Sequence, residues 1–188
     1  TADWAWIQLM LAHTEKKMAV VIDQGVLFRG GREKKIRAKI IDDDLLEAVI
    51  LLPEKLFYNT GAPGVILIFN KEKPPERKGR ILFINASSEY KPHPEVRRLI
   101  IHSPENIENI VKIYREYKEE SGFSKIVSLE EIGRHDYNLN VTIYVEPIIE
   151  TQQIDIAKLW SEIKQLEQER IEVEKKIEQY LSMMGLVK

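Results

Sequence analysis

Apolar positions along the chain alternate between short runs and helical stripes. Over residues 3 to 15, Trp4, Ile7, Met10 and Leu11 recur at helical spacing, with Asp3 placed as an N-cap. Residues 18–22 are a continuous apolar run, the pattern of a strand buried on both faces. Asp23-Gln24-Gly25 ends it, and Val26-Leu27-Phe28 leads to a flexible Arg29-Gly30-Gly31 break. The spacing predicts a helix over 32–43, with Ile36, Ile40 and Ile41 on one side, then a strand over 46–52 closed by Pro53. After a turn-rich stretch over 54–64, two strand-like runs, 65–70 and 80–85, flank a polar connection and read as a long β-hairpin. Residues 86–103 read as irregular and exposed. Ser103-Pro104-Glu105 starts a helix that runs to about residue 120. Ser128 and Glu131 have capping-box spacing for a short helix, and after a turn at 135–140 the run 141–145 reads as a strand. From Ile154 the pattern changes. Leu159, Ile163, Leu166, Val173, Ile177 and Tyr180 follow 4-3 spacing, interrupted by Arg170, as in a coiled-coil-type helix ending near Gly185.

Strand and helix units followed by close-set strands imply an α/β domain. Its 188 residues, 44% hydrophobic and 31% charged, suffice for a sizeable core and exclude collagen-like and disordered classes. The absence of cysteine excludes disulfides, thiolate metal sites and a Cys nucleophile. Apolar runs are too short to span a membrane. A chain that opens on Thr1 and an apolar aromatic run, with no signal-peptide start, reads as a piece of a longer protein.

Candidate chemistry is sparse. No Gly-rich phosphate loop of recognised spacing is present. The four histidines, 13, 93, 102 and 135, lie in unrelated segments, and no pair has metal-site spacing on a helix. Asp42-Asp43-Asp44 fits a solvated helix end better than a cluster, because adjacent helix residues point apart. With 28 basic against 30 acidic residues, a net charge of −2, nucleic-acid binding requires a local patch. The one in view runs from Arg29 to Lys39. It offers Arg29, Arg32, Lys34 and Lys35 as phosphate contacts beside a Gly-Gly break and a helix start. The other reading of that patch is a solvated helix face.

Several stretches together resemble one family. Ala2 to Leu11 resembles its "A-D-x-A-F-I-Q-x-M-L" helix, and Gly25 to Gly31 is its "G-V-L-F-R-G-G". Residues 37–53 are similar to "I-R-x-x-L-I-E-x-D-L-L-E-A-V-I-x-L-P", and 56–71 to "L-F-Y-x-T-G-I-P-x-x-I-L-V-L-N-K". Residues 81–87 resemble "V-L-F-I-D-A-S", and Asp136 to Asn140 spells "D-Y-N-L-N". The family is the modification subunit of type I restriction–modification systems, an N6-adenine DNA methyltransferase, and the resemblance covers about residues 2 to 146. It departs at Asp23-Gln24-Gly25, where the family has Pro-Asn-Gly, and at Thr142 to Val145, where the family has Pro-Arg-Tyr-Val.

The resemblance implies an α/β fold: the carboxyl half of a Rossmann-like methyltransferase sheet ending in an antiparallel hairpin, followed by helices and the long C-terminal helix. Residues 1–146 would be the methyltransferase half-domain, 147–153 a linker and 154–188 an assembly helix. The family's S-adenosylmethionine loop and Asn-Pro-Pro-Phe/Tyr motif lie upstream of the first helix. The Pro74-Pro75 pair lacks the preceding Asn and the following aromatic. S-adenosylmethionine is therefore expected in the full-length protein and not on this chain alone, which carries no catalytic residue of its own. By analogy with related enzymes, Phe57, Tyr58, Asn59 and Thr60 are candidates for a flipped-base or DNA pocket. Phe57 equally fits an ordinary core position. The implied partners are DNA and the specificity and restriction subunits, in the cytoplasm. The seam of Leu159, Ile163, Leu166, Val173 and Ile177 would dock on the specificity subunit, or pack back on the parent domain. The rival readings are a non-catalytic helical assembly module on an α/β domain, and an unrelated α/β domain with an antiparallel edge.

Overall fold

In a computed structural model of the chain, residues 2–58, 60–146 and 156–184 are described. The chain divides into two compact units, Thr1–Ile148 and Ile149–Lys188.

The first unit is a mixed five-stranded sheet between helices. Its strands are β1 (Lys17–Asp23), β2 (Leu46–Leu51), β3 (Gly64–Asn70), β4 (Arg80–Asn85) and β7 (Ser124–Ser128), in the order β1-β3-β2-β4-β7. A two-residue pair, β5 (Lys91–Pro92) and β6 (Ile100–Ile101), stands apart. β3 runs antiparallel to both β1 and β2, β2 and β4 are parallel, and β7 is antiparallel to β4. The carboxyl ends of β1, β2 and β4 therefore share one edge of the sheet with the amino ends of β3 and β7.

One sheet face is covered by α1 (Asp3–His13), α2 (Gly31–Asp42) and the short α4 (Leu129–Arg134) and α5 (Val141–Tyr144). Trp4, Ile7, Ile41, Phe69, Phe83 and Val141 meet there. The other face is covered by α3 (Pro104–Glu116) through Ile110 and Ile113, against Ala48, Ile50, Leu82 and Ile84. β2 serves both faces. Strict alternation would put residues 46, 48 and 50 on one side. Instead Leu46 shares a face with Val49 and Leu51, because the β2–β3 register slips between Leu46 and Ala48.

The residue at that bulge is Glu47, whose side chain is fully buried. It accepts hydrogen bonds from Asn70 Nδ2 at 3.1 Å, Arg77 Nη1 at 3.2 Å and the Tyr114 hydroxyl at 2.8 Å, with Lys17 Nζ at 3.4 Å. The Arg77 guanidinium also lies over the Tyr117 ring, 4.6 Å from its centre. Lys73, buried beside this cluster, donates to Asp44 at 2.6 Å and to the Arg80 carbonyl at 3.0 Å. The amino edge of the sheet is thus closed by buried ion pairs.

The structure corrects several expectations. Strands 65–70 and 80–85 do not form a hairpin, because β2 lies between them. These strands are near-continuous apolar runs, which announce burial but carry no partner choice. β1 is not buried on both faces: it pairs only with β3, and every second residue is exposed. Residues 141–145 hold the short helix α5 rather than a strand, with the Tyr144 hydroxyl returning to the Asn138 carbonyl at 2.6 Å. β7 had no strand signal of its own. Asp3 is inside the first turn of α1 rather than its cap. α3 stops at Glu116, where Tyr117 turns left-handed at φ 49°. The caps at Ser103 and Ser128 form as expected.

The second unit contains one described element, α6 (Ile156–Met183). The linker at 147–153 and the helix end near Gly185 lie outside the described residues. No described helix is long and apolar enough to cross a membrane.

Burial pushes the Glu47 carboxyl up, but the hydrogen bonds from Asn70 and Tyr114, the Lys17 charge and the Arg77 hydrogen bond outweigh it, leaving its pKa below the ordinary value of 4.5. A lowered folded pKa stabilises the fold above 4.5, and that stability drains away as pH falls through the lower folded value. Glu47→Gln is expected to cost about 2 kcal/mol at pH 7 and to flatten the acid limb of urea-denaturation stability plotted against pH. An acid limb that stays as steep as in the unsubstituted chain would remove Glu47 from this role.

Candidate functional site

In open α/β sheets ligands gather outside the carboxyl ends of the parallel strands. Here that edge is held by a clasp around α2. Arg37 is 1% exposed, and its guanidinium has three backbone acceptors: the Tyr137 carbonyl at 2.7 Å from Nε, and the Arg29 and Val26 carbonyls at 2.9 and 3.3 Å from Nη1. The Val26 carbonyl also accepts from Trp4 Nε1 at 2.8 Å, and the Leu27 carbonyl from the Leu139 amide at 3.0 Å. Burial lowers the Arg37 pKa, opposed by the nearby Glu33 and Asp136 charges. Asp136 and Tyr137 both sit left-handed, at φ 60° and 55°, a conformation that costs non-glycine residues about 1 kcal/mol or more each. The bond from Arg37 and the Lys34–Asp136 ion pair hold them there. The Gly25–Gly31 and Asp136–Asn140 motifs are two halves of this clasp. Gly31, at φ 67°, makes the turn between the first half and α2.

The basic run beside the clasp is largely neutralised within the chain. Arg29 pairs with Asp3, with Asp23 at 2.6 Å and with Glu33 at 4.0 Å. Lys34 pairs with Asp136, and Lys39 with Asp43 at 2.6 Å. Arg32 and Lys35 are exposed and have no described partner.

The loop after β2 enters the carboxyl edge and separates two cavities. Phe57 is half-buried and packs with the α3-side core. With Thr60, Asp23 and Gly64 it lines a cavity of about 250 Å³. Tyr58 is 78% exposed. It shares with Thr60, Lys55, Arg97 and Arg98 a cleft of about 1080 Å³. Thr60 Oγ1 accepts from the Ala62 amide at 3.1 Å. Asn59 lies outside the described residues. The structure thus brings Phe57 and Thr60 together in one cavity, and Tyr58 and Thr60 in the other. Sequence reasoning missed Lys55, Arg97 and Arg98. The Arg-Arg pair was a readable signal, but nothing in the letters joined it to a loop about 40 positions earlier. Among the described residues no group of three or more His, Asp or Glu side chains is gathered for a metal ion.

This architecture, a mixed five-stranded sheet with helices on both faces, defines an α/β domain. The chain belongs to the N-6 DNA methylase family, which matches residues 1–153. It is 55% identical over 189 residues to the type I restriction enzyme MjaVIII methylase subunit of Methanocaldococcus jannaschii, covering all of this chain and 33% of that protein. The methyltransferase subunit of a type I restriction–modification system from Streptococcus thermophilus superposes with a TM-score of 0.71 at 32% identity, over 78% of this chain and 31% of that one. A chain from a study of complex assembly and conformational transition of the type I system shares the fold over 96% of this chain and 39% of its own, with a TM-score of 0.60 at 18% identity. The chain therefore spans about a third of its curated relatives, in their carboxyl-terminal portion. Family membership removes the reading as an unrelated α/β domain.

The family's methyl donor is in general S-adenosylmethionine. A Cβ on Gly25 would sit 2.6 Å from Arg29 Nη2, and one on Gly64 2.6 Å from Phe57 Cε2. The space at these two glycines is filled by the chain's own side chains, whereas Gly30, Gly31 and Gly61 face open space.

Because a buried guanidinium binds three backbone carbonyls, one of them shared with Trp4, Arg37→Met should lose about 3 kcal/mol of stability, read as a lower urea midpoint. An unshifted midpoint would show that the clasp does not hold this edge.

Proposed function

We infer that the chain is the carboxyl-terminal part of a type I DNA adenine-N6 methyltransferase subunit. In this reading it contributes part of the sheet, part of the DNA-facing surface and an assembly helix. The observation that carries the reading is the open carboxyl edge, where the Phe57–Thr60 loop lies between two cavities on a sheet whose family acts on DNA. The position of a flipped adenine is assigned to this edge, with Tyr58, Thr60 and Phe57 lining it and Asn59 a candidate by its place in the same loop sequence. Donor binding and base-amine chemistry belong to the rest of the subunit. The exposed Trp6, Leu9 and Met10 of α1 and the one-sided pairing of β1 support a surface that the preceding part of such a subunit covers. Arg32 and Lys35 remain phosphate candidates, while Arg29 and Lys34 would have to exchange intramolecular carboxylates for phosphate. The complex would assemble with specificity and restriction subunits in the cytoplasm.

The 188-residue chain alone should transfer no methyl group from labelled S-adenosylmethionine to mixed-sequence DNA. Turnover above background would overturn the division of labour.

The tail is assigned to assembly. Leu159, Ile163, Leu166, Val173 and Ile177 form an apolar stripe on α6, and one helix cannot bury its own stripe. We assign it a coiled-coil partner, the specificity subunit. Burying each such side chain is worth about 1.5–3 kcal/mol, so Ile163→Glu with Leu166→Glu should abolish co-purification with that subunit. The melting midpoint of residues 1–146 should stay unchanged. Normal co-purification with a collapsed midpoint would place the helix in the domain's own core instead.

A further inference from the structure

The charge arithmetic of the carboxyl edge points away from the basic run that stands out in the letters. Around α2, three of its cations face intramolecular carboxylates. The cleft of about 1080 Å³ is different. Lys55, Arg97 and Arg98 line it, no carboxylate does, and none of the three has a described ion-pair or hydrogen-bond partner for its side chain. Two nearby groups are engaged elsewhere: Lys91 with Glu105 at 3.1 Å, and His93 Nδ1, which accepts from the Glu95 and Val96 amides at 3.1 and 3.0 Å.

The cleft is also a built feature. His93 closes the turn of the β5–β6 hairpin, and the Leu99 amide donates back to the Val96 carbonyl at 2.9 Å, which sets Arg97 and Arg98 at the tip. The hairpin is tied to the loop after β2 by the Ile100 amide, which donates to the Lys55 carbonyl at 3.3 Å. Lys55 itself turns left-handed, at φ 61°. That tie brings two arginines and a lysine to one cleft with the exposed ring of Tyr58.

Unneutralised cations beside an exposed aromatic ring are the combination that tracks a nucleic-acid backbone and stacks an unpaired base. We propose that the cleft between the β5–β6 hairpin and the Lys55–Gly61 loop is a DNA strand site, in which Lys55, Arg97 and Arg98 take backbone phosphates and Tyr58 stacks on an unpaired base. It deepens the DNA-facing reading above, on which it rests, and moves the main phosphate contact from α2 to the hairpin. The three cations line one cleft, so a strand can meet all of them at once. Guanidinium groups also bind phosphate in a two-pronged fashion, which a surface lysine does not.

The test measures binding of the whole 188-residue chain to a duplex carrying one unpaired adenine, by fluorescence anisotropy across a salt series. Removing one cation that neutralises a phosphate should lower the slope of log affinity against log salt by about 0.9 units. Lys55→Ala with Arg97→Ala and Arg98→Ala should therefore flatten the slope by roughly two to three units. Its melting midpoint should be unchanged, since all three residues are exposed. Tyr58→Ala should keep the slope and lose about fivefold or more in affinity, with a smaller loss on the fully paired duplex. If the slope flattens only in Arg32→Ala with Lys35→Ala, the DNA-facing reading survives and the cleft assignment falls. If the unsubstituted chain binds no DNA even at low salt, both fall. If the triple variant keeps its DNA slope but loses affinity for polyglutamate, the cleft belongs to an acidic protein surface and the proposal is overturned.

Discussion

A guanidinium removed from water has to find acceptors that replace its hydration, and Arg37 finds them on the backbone. Its three carbonyls come from two segments about a hundred residues apart, the turn after β1 and the turn before α5. The first includes a short 3-10 helix, Gln24–Leu27, and the second holds two residues in a left-handed conformation. An apolar side chain at this position would leave the Tyr137 and Arg29 carbonyls without this donor, which costs about as much as the bonds themselves provide, while the Val26 carbonyl would keep its bond from Trp4 Nε1. The conformation of the carboxyl edge thus follows from one charge whose geometry is rigid. A lysine could not substitute, because a single ammonium lacks the planar spread of donors that reaches all three carbonyls.

The opposite edge is organised on the same principle with the sign reversed. There an anion, Glu47, is buried at a bulge and gathers donors from β1, β3, α3 and the turn before β4. Burial and its bond to Glu47 push the Tyr114 hydroxyl up to about 12, so it stays a donor across the working range. The two buried charges divide the sheet between them. The amino edge is closed around Glu47, with Arg77 Nε and the Tyr117 hydroxyl buried there without a hydrogen-bond partner among the described residues. The carboxyl edge is held from behind by the clasp and leaves its forward loops open. An edge of this kind can carry cavities without loosening the sheet, because the loops that line them are not what holds the strands.

The sequence made the core legible and the pairing illegible. Helical stripes located α1, α2 and α3 to within a few residues, and the serine caps at 103 and 128 were readable because capping chemistry is local. Strand partners were not, since β2, β3 and β4 are all nearly continuous apolar runs and differ little in pattern. The bulge at Glu47 was invisible for the same reason: it appears only when a second strand sets the register. Val141 to Val145 misled because β-branched residues favour strands, whereas here Asn140 and the Tyr144 hydroxyl bond close one helical turn. Two of the motifs that carried the family resemblance have a visible structural part: G-V-L-F-R-G-G and D-Y-N-L-N are the two halves of the Arg37 clasp. Of the four candidates in the 57–60 loop, three are described, and they lie along two cavities rather than in one.

A run of basic residues in a sequence measures charge before subtraction. What reaches a ligand is the remainder after the chain's own carboxylates have been counted in space, and those carboxylates are distant in sequence: Asp3 and Asp23 for Arg29, Asp136 for Lys34. Subtraction reduces the α2 run to Arg32 and Lys35. The same subtraction leaves Lys55, Arg97 and Arg98 intact, although the segment around them reads as mixed in charge. The local remainder, and not the net charge of −2, decides which face attracts a polyanion. Two arginines at a hairpin tip can therefore outweigh a longer basic helix.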